Sequence, residues 1–543
     1  MTSKLLFVRL IAFCLSVLPA LVIALPAPGL LPQQILSDIR QPQHPFDWIP
    51  TGNHPPAIVP ISHISQRSFI DSYGRQRLFR GVNVVVKGPP WHPTIDRWDP
   101  QLSFSQEDVD FIADLNLNIV RLGVMWPGFE PSRGHYNSTY IAILKTIVER
   151  CRAKGIYVLL NMHQDVLSEK LCGEGIPLWA AEELLVPAKQ SQAFPFPLED
   201  PWALNNTQGI PSRERCDTRD WFEYHFAVAT SRAYQRLYDD RNGIGRAMAL
   251  FWARVAQEFG QYDNVLGYEL INEPWAGDVF KNPLLLSPGV ADLVNLQPFY
   301  EMIHAEIRKV DKERFVFFES VTWDNVAVGF TRSPGGSHYR NRSVLSYHHY
   351  DKRPNVLKIE KTFKERILDA ARLKIGLMLT EFDIAYRASE SVGWIKETLA
   401  SADQHLQSWI GWEYKRFLPI TGFGDSFFDP DTGELWQKMV PLFSRPYAQA
   451  VAGKITFMNF SQETSRYELR FVANEATQLQ TTEIRFLKRT HYPNGFRVRI
   501  WPSVLSWEHP AERDDGLLIL KPSSRVRNGE EITVVITGDV PQT

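Results

Sequence analysis

The chain has 543 residues, of which 44% are hydrophobic and 12% aromatic, with a formal net charge of −2. That length exceeds one ordinary domain and can bury a large core. A near-neutral charge argues against a nucleic-acid partner, which would call for a basic excess, whereas 16 Trp lean towards sugar or lipid contacts.

The N-terminus places Lys4 and Arg9 before an apolar run from Leu10 to Ala24. The run is short for a membrane span and fits a secretory signal over residues 1–24, cleaved around Ala24 to Ala27, with a signal anchor as the alternative. The expected destination is therefore secretion, or the lumen of a lysosome or other vesicle. Residues 25–60 are rich in Pro, lack periodicity and read as an extended N-terminal segment.

From residue 61 to 445, short apolar runs alternate with helical patterns. The runs are Leu78–Val86, Ile119–Val124, Tyr157–Met162, Leu266–Ile271, Phe315–Glu319, Val344–Tyr347, Leu377–Thr380 and Trp409–Glu413. Helix candidates between them include Gln106–Leu115, Ile141–Lys154, Ile244–Phe259, Pro298–Val310, Phe363–Leu373 and Ser391–Gln407. The alternation predicts an α/β fold, a (β/α)8 barrel. A long insertion, Leu167 to Asp240, follows the third strand and would lie over the mouth of the barrel. From 446 to 543 helical periodicity disappears and strand-like runs predict an antiparallel β-sandwich. Tyr492 or Trp501 could be exposed there as a sugar-binding surface, or be core.

Beyond the leader stand Cys151, Cys172 and Cys216. Cys151 lies in a helical pattern and reads as a buried thiol. Cys172 and Cys216 flank an irregular segment rich in Pro and Trp, and in an oxidising compartment a Cys172–Cys216 bridge would staple it. Sequons occur at Asn137, Asn205, Asn341 and Asn459.

The chemistry concentrates where barrel strands end. Val265-Leu-Gly-Tyr-Glu-Leu-Ile-Asn-Glu-Pro-Trp275 reads as a buried strand that ends in Asn272-Glu273 and is broken by Pro274. Ile375-Gly-Leu-Met-Leu-Thr-Glu-Phe382 ends the same way, in Glu381. Two carboxylates on two strand ends suggest an acid/base and a nucleophile. Arg121, at the end of the second strand, needs a carboxylate partner at that depth; it either holds a nucleophilic Glu ionised or forms a structural ion pair. His163, Gln164 and Asp165 follow the third strand and could bind sugar hydroxyls; a metal site is the alternative, but no second His or Cys cluster has ligand spacing. His348 and Tyr350 after the sixth strand could orient the sugar and donate to the nucleophile, or be packed core. Trp412 could floor a sugar ring, and Lys87 beyond the first strand could bind hydroxyls at the rim or stay solvated. No cofactor is expected.

Together, Asn272-Glu273-Pro274, Thr380-Glu381-Phe382, Arg121 and His348-x-Tyr350 resemble glycoside hydrolase family five. His163-Gln164-Asp165-Val166, Leu171-Cys-Gly-Glu-Gly-Ile-Pro-Leu-Trp179 and Asn272-Glu-Pro-Trp-Ala-Gly-Asp278 are similar to its endoglycoceramidase branch. Fungal steryl- and ceramide-glucosidases are relatives with a similar core. The resemblance covers roughly Ile61 to Thr543. It implies Glu273 as acid/base and Glu381 as nucleophile, with Lys87, His163, Asp165, Asn272, His348, Tyr350 and Trp412 lining the sugar pocket. It also implies a glycosphingolipid substrate and transient contact with a membrane surface. Two positions depart from the pattern: Asn161 stands where relatives often have Asp, and Asp383 follows Phe382 where they often have Gly. Both leave the preferred head group open. The remaining alternatives are a steryl-β-glucosidase or glucosylceramidase-like exo-glucosidase, an endo-β-1,4-glucanase, and a non-catalytic glycolipid-binding protein.

Overall fold

A computed structural model describes residues 58–185, 209–322, 326–350, 356–384, 391–417, 420–421, 426–511 and 515–539. The signal segment, the N-terminal segment up to residue 57 and the sequon at Asn205 lie outside the described residues.

Three short strands come first: β1 (Ile61–Ser65), β2 (Ser68–Asp71) and β3 (Gln76–Arg77). Eight parallel strands then close a barrel: β4 (Arg80–Val84), β5 (Ile119–Gly123), β6 (Tyr157–Asn161), β7 (Val265–Glu269), β8 (Phe315–Glu319), β9 (Ser343–His349), β10 (Gly376–Phe382) and β11 (Trp409–Gly411). They pair in chain order, and β11 returns to β4. From β4 through β8 every strand residue is buried. This is why the strands read as continuous apolar runs: helices cover the outer face while side chains fill the interior. The β4–β5 pairing requires glycine at position 81, where a Cβ would lie 1.9 Å from the Ile119 carbonyl oxygen.

The helices carry their own start signals. Asp108 accepts from the Ser105 backbone N–H at 2.7 Å to open Gln106–Asp114. Asn137 caps Ser138–Ala153 by accepting from the Tyr140 N–H at 3.1 Å, so one sequon asparagine serves as an N-cap. Ile244–Phe259, Gln297–Val310, Val356–Leu373 and Ser391–Gln404 complete the larger helices of the outer layer.

Residues 61–77, which the sequence places at the start of the barrel, belong to another sheet. β3 pairs with β12 (Tyr447–Val451), extending the order β1-β2-β3-β12-β15-β18-β17. Its remaining members are β15 (Thr482–Arg485), β17 (Leu505–Glu508) and β18 (Leu517–Pro522). A second sheet holds β13 (Gly453–Ser461), β14 (Arg466–Ala473), β19 (Glu531–Gly538) and β16 (Phe496–Trp501). The two sheets share a core that includes Tyr447, Ile455, Leu469, Ile484, Leu518 and Val534. Tyr492 is in that core, whereas Trp501 is 75% exposed.

The hairpin β1–β2 also closes the bottom of the barrel. Ile61, Ile64 and Phe69 cluster with Phe79, Ile119, Tyr157, Phe315 and Val344, residues at the N-terminal ends of the barrel strands. Barrel and sandwich are tied together by Arg80, which pairs with Asp403 and donates to the Arg445 carbonyl at 3.0 Å, and by Arg445, which donates to Asp403 at 2.8 Å.

Candidate active site

At the opposite, C-terminal end of the barrel, the inward positions of successive strands are polar. Arg121 on β5 is fully buried and spreads its guanidinium across four strands. Nη1 donates to Glu381 Oε1 at 2.5 Å and to Asn83 Oδ1 at 2.9 Å, and Nη2 donates to Asn272 Oδ1 at 2.9 Å. Nε donates to Glu269, which also accepts from Asn161 Nδ2 at 3.0 Å. A guanidinium is suited to this position because its planar fork serves several acceptors at once.

Glu381 ends β10 with both oxygens engaged: Oε2 accepts from the Tyr350 hydroxyl at 2.7 Å. Burial alone would raise its carboxyl, but His348, Arg121 and the tyrosine hydroxyl outweigh it and hold the carboxyl below its ordinary value. The group is therefore set to be anionic.

Glu273 lies four residues beyond β7, with a left-handed backbone (φ 39°) that is sparsely populated for a side chain of this kind. The turn is held from several sides. Gln164 Nε2 donates to the Asn272 carbonyl at 2.6 Å and the Glu273 carbonyl at 3.0 Å, and the Glu273 N–H donates to Glu319 Oε2 at 3.2 Å. His348 Nδ1 meets Glu273 Oε1 at 2.7 Å. The same nitrogen lies 3.4 Å from Glu381, and Nε2 lies 3.3 Å from Glu319. Burial would lower the imidazole, but Glu319, Glu381 and Glu273 together raise it well above its ordinary value. Carboxylate oxygens of Glu273 and Glu381 come within 4.8 Å of each other across this ring. This separation fits a covalent, retaining mechanism, in which the carboxyl groups stand about 5 Å apart.

Lys87, His163, Asp165 and Trp412 form the adjoining wall. Lys87 pairs with Asp165 and sits 4.7 Å from the centre of the Trp412 ring. His163 stacks on Trp412 with centroids 4.9 Å apart and lies 4.0 Å from Glu381. Burial lowers the His163 imidazole to about 4, so this ring is neutral. The Thr421 hydroxyl lies 2.7 Å from Asp165 and 2.9 Å from Glu174. Glu174 is pushed well up by burial and by Asp165, and Lys87 opposes this. The pair thus reads as one carboxylate and one carboxylic acid beside a lysine.

Three groups of described side chains come close enough to share a cation: His163/Asp165/Glu174, Glu269/Glu319/His348 and Glu273/His348/Glu381. In each, a side chain already supplies positive charge: Lys87 in the first, Arg121 and the raised His348 in the others.

The structure thus brings Lys87, Arg121, His163, Asp165, Asn272, Glu273, His348, Tyr350, Glu381 and Trp412 to one end of the barrel. Cys172 and Cys216 are bridged, and Cys151 is a buried thiol pushed up to about 12 by burial. Sequence reading missed Glu269 and Glu319. Both were visible as single carboxylates inside otherwise apolar strand runs, a costly placement that announces a partner.

The chain matches the family model described as cellulase (glycosyl hydrolase family 5) over residues 71–417. It matches that of the glycoside hydrolase family 5 C-terminal domain over 445–536. It is similar to the endoglycoceramidase of Cyanea nozakii, 40% identical over 490 residues that cover 89% of this chain and 95% of the relative. The endoglycoceramidase of Hydra vulgaris is 42% identical over 435 residues, covering 80% and 82%. Among solved structures, endo-glycoceramidase II from Rhodococcus sp. in a ganglioside GM3 complex shares the fold, with a TM-score of 0.64 at 20% identity, over 87% of this chain and 99% of that one.

Proposed function

The chain belongs to glycosyl hydrolase family 5, and on that premise we propose that it is an endoglycoceramidase, releasing an intact oligosaccharide from the ceramide of a glycosphingolipid with retention at the anomeric carbon. The observation that carries the chemistry is the approach of Glu273 and Glu381 to within 4.8 Å at the mouth of the barrel. The substrate class is supported by the relatives from Cyanea nozakii and Hydra vulgaris, at 40% and 42% identity over most of both chains.

In the first half-reaction Glu381 attacks the anomeric carbon as the bond to the ceramide oxygen breaks, and Glu273 gives its proton to that oxygen. The ceramide leaves and the sugar remains esterified to Glu381. In the second half, Glu273 as carboxylate takes a proton from water, the water oxygen bonds to the anomeric carbon, and Glu381 is released. Arg121 and Tyr350 hold Glu381 ionised. Asn272, fixed by Arg121 and by its own donation to the Gln164 carbonyl at 3.1 Å, stands beside the acid/base to bind a sugar hydroxyl. Lys87, His163, Asp165 and Trp412 receive the remaining hydroxyls and the ring face. The substrate is presented at a membrane surface, and the enzyme works outside the cell or in a vesicular lumen. The second point is supported by Lys4, Arg9 and the apolar run Leu10–Ala24, and by the Cys172–Cys216 bridge.

The test is product analysis. Purified protein is incubated with a ganglioside and, separately, with glucosylceramide in detergent, and the products are identified by mass. Intact oligosaccharide plus ceramide is expected. Free glucose from glucosylceramide alone would place the enzyme with the exo-glucosidases, and cleavage only of soluble β-glucan would overturn the lipid substrate.

A further inference from the structure

Glu319 ends β8, is 4% exposed, and belongs to neither half of the reaction described above. Its two oxygens divide their work. Oε2 accepts from the Glu273 backbone N–H at 3.2 Å, and Oε1 lies 3.3 Å from His348 Nε2 and 3.7 Å from Arg121 Nη2. The Tyr300 hydroxyl, from the helix Gln297–Val310, donates to the Glu319 carbonyl at 2.9 Å and anchors its main chain. On its far side, His348 reaches Glu273 Oε1 through Nδ1. The imidazole therefore lies between Glu319, at ion-pair distance, and the acid/base, to which it is hydrogen-bonded.

We propose that Glu319 is a positioning residue for the acid/base carboxyl: it keeps both nitrogens of His348 protonated, so that Nδ1–H donates to Glu273 Oε1 throughout the cycle and Oε2 is reserved for the ceramide oxygen and then for water. The proposal rests on the glycosidase reading of Glu273. With an anion behind it, at an ion-pair distance of 3.3 Å and without a hydrogen bond, the charged ring is compensated and turns its Nδ1–H to Glu273. Without that anion, a neutral ring can turn its bare Nδ1 towards Glu273 and accept the proton that the leaving group needs. Charged groups face this ring from every strand around it: Glu273 beyond β7, Glu319 on β8, Glu381 on β10, and Arg121 on β5, which contacts the two last-named carboxylates. Tyr350, just beyond the ring on its own strand, donates to Glu381 rather than to the imidazole. Burial also raises the Glu319 carboxyl, to about 7. The proton rests on the ring, because an imidazolium facing the carboxylates of Glu319 and Glu381 is compensated and a neutral ring is not.

The experiment is the pH profile of kcat/KM for wild type and Glu319→Gln, on whichever β-glycoside the wild type cleaves in the product analysis. Removing an anion lowers the proton affinity of the His348 ring. The alkaline limb is expected to move towards acid by about one pH unit or more, with activity at neutral pH down about tenfold. A folded Glu319→Gln enzyme with an unmoved limb, whether its activity is unchanged or equally reduced at every pH, would overturn the proposal. Where Glu319→Gln does not fold, Glu319→Asp withdraws the charge by one carbon. Its limb moves the same way by less, and an unmoved limb overturns the proposal equally. A wild type that cleaves no β-glycoside removes the glycosidase reading and this proposal together, whereas an active wild type with an unmoved variant removes only the latter.

Discussion

Arg121 Nη1 and Glu381 Oε1 meet at 2.5 Å in the interior of the barrel, joining residues 260 positions apart in sequence. The same guanidinium pairs with Glu269. Removing it leaves Glu269 without its cation and Glu381 with His348 as the cation that remains beside it. Arg121→Met is expected to lower stability by about 3–5 kcal/mol, the usual cost of breaking a buried pair from one side. Urea unfolding followed by tryptophan fluorescence measures this; a loss below about 1 kcal/mol would mean that the pairs are already compensated by other groups.

On the proposed mechanism, Glu273 and Glu381 should fail in different ways. Glu381→Gln removes the nucleophile, and turnover is expected to fall by about 10⁴-fold or more on every substrate. Glu273→Ala removes acid/base help, which contributes about 10²–10⁴-fold, and its loss should be steepest on the lipid and mildest on an activated aryl glycoside in the first half-reaction. Pre-steady-state release of the aryl group separates the two. Near-normal turnover by Glu381→Gln would sink the assignment.

Tyr350 offers a test of sign. Its hydroxyl is one of the groups that hold the Glu381 carboxyl below its ordinary value. Glu381 must be anionic to attack, so activity is lost as pH falls through its folded value. Tyr350→Phe removes a hydrogen bond to a charged group, a contribution of about 1.5 kcal/mol, which raises the Glu381 carboxyl by about one unit. The acid limb of kcat/KM should therefore move to higher pH. A limb that stays in place or moves down would show that the hydroxyl does not support the anion.

The Cys172–Cys216 bridge closes a separation of 44 residues over an insertion that follows β6. Its first cysteine adjoins the clasp in which Asp165 and Glu174 exchange backbone hydrogen bonds at 3.0 and 2.8 Å. Cys216→Ser is expected to cost about 2–4 kcal/mol by freeing the unfolded chain. It should also raise KM more than it lowers kcat, since the clasp carries the sugar-facing Asp165 rather than the reacting carboxyls. A wild-type unfolding midpoint insensitive to reductant would count against this.

The barrel was legible in the sequence because parallel strands buried on both faces read as unbroken apolar runs, and each of the eight runs overlaps a barrel strand. The approach of Glu273 and Glu381 at the barrel mouth was legible because both stand at the ends of such runs. The pairing of β3 with β12 was not legible: it joins Gln76 to Val451, and no local pattern encodes so distant a partner. β12, with Ala448 and Ala450, has weak strand propensity of its own, and β17 shows mostly exposed residues, so neither announces itself. Glu319 could be seen as an outlier, but its meaning depends on His348 from the next strand, which only the fold supplies.

The hairpin at the barrel floor separates stability from chemistry. Phe69 packs edge-on against Phe79 and Phe315, with ring centroids 5.1 and 5.6 Å apart, and parallel to Phe317 at 6.3 Å. It fills the N-terminal end of the barrel, while the carboxyls act at the other end. Phe69→Ala should leave a cavity that costs about 3–5 kcal/mol. It should also loosen the β1–β2–β3 segment that links the barrel to the β12 sheet, so barrel and sandwich are expected to unfold in one earlier transition. The folded fraction should keep kcat within about twofold, because stability and catalysis draw on opposite faces of this barrel. Calorimetry and initial rates on the same sample decide it: a large drop in kcat with an unchanged melting temperature would show that the floor communicates with the site.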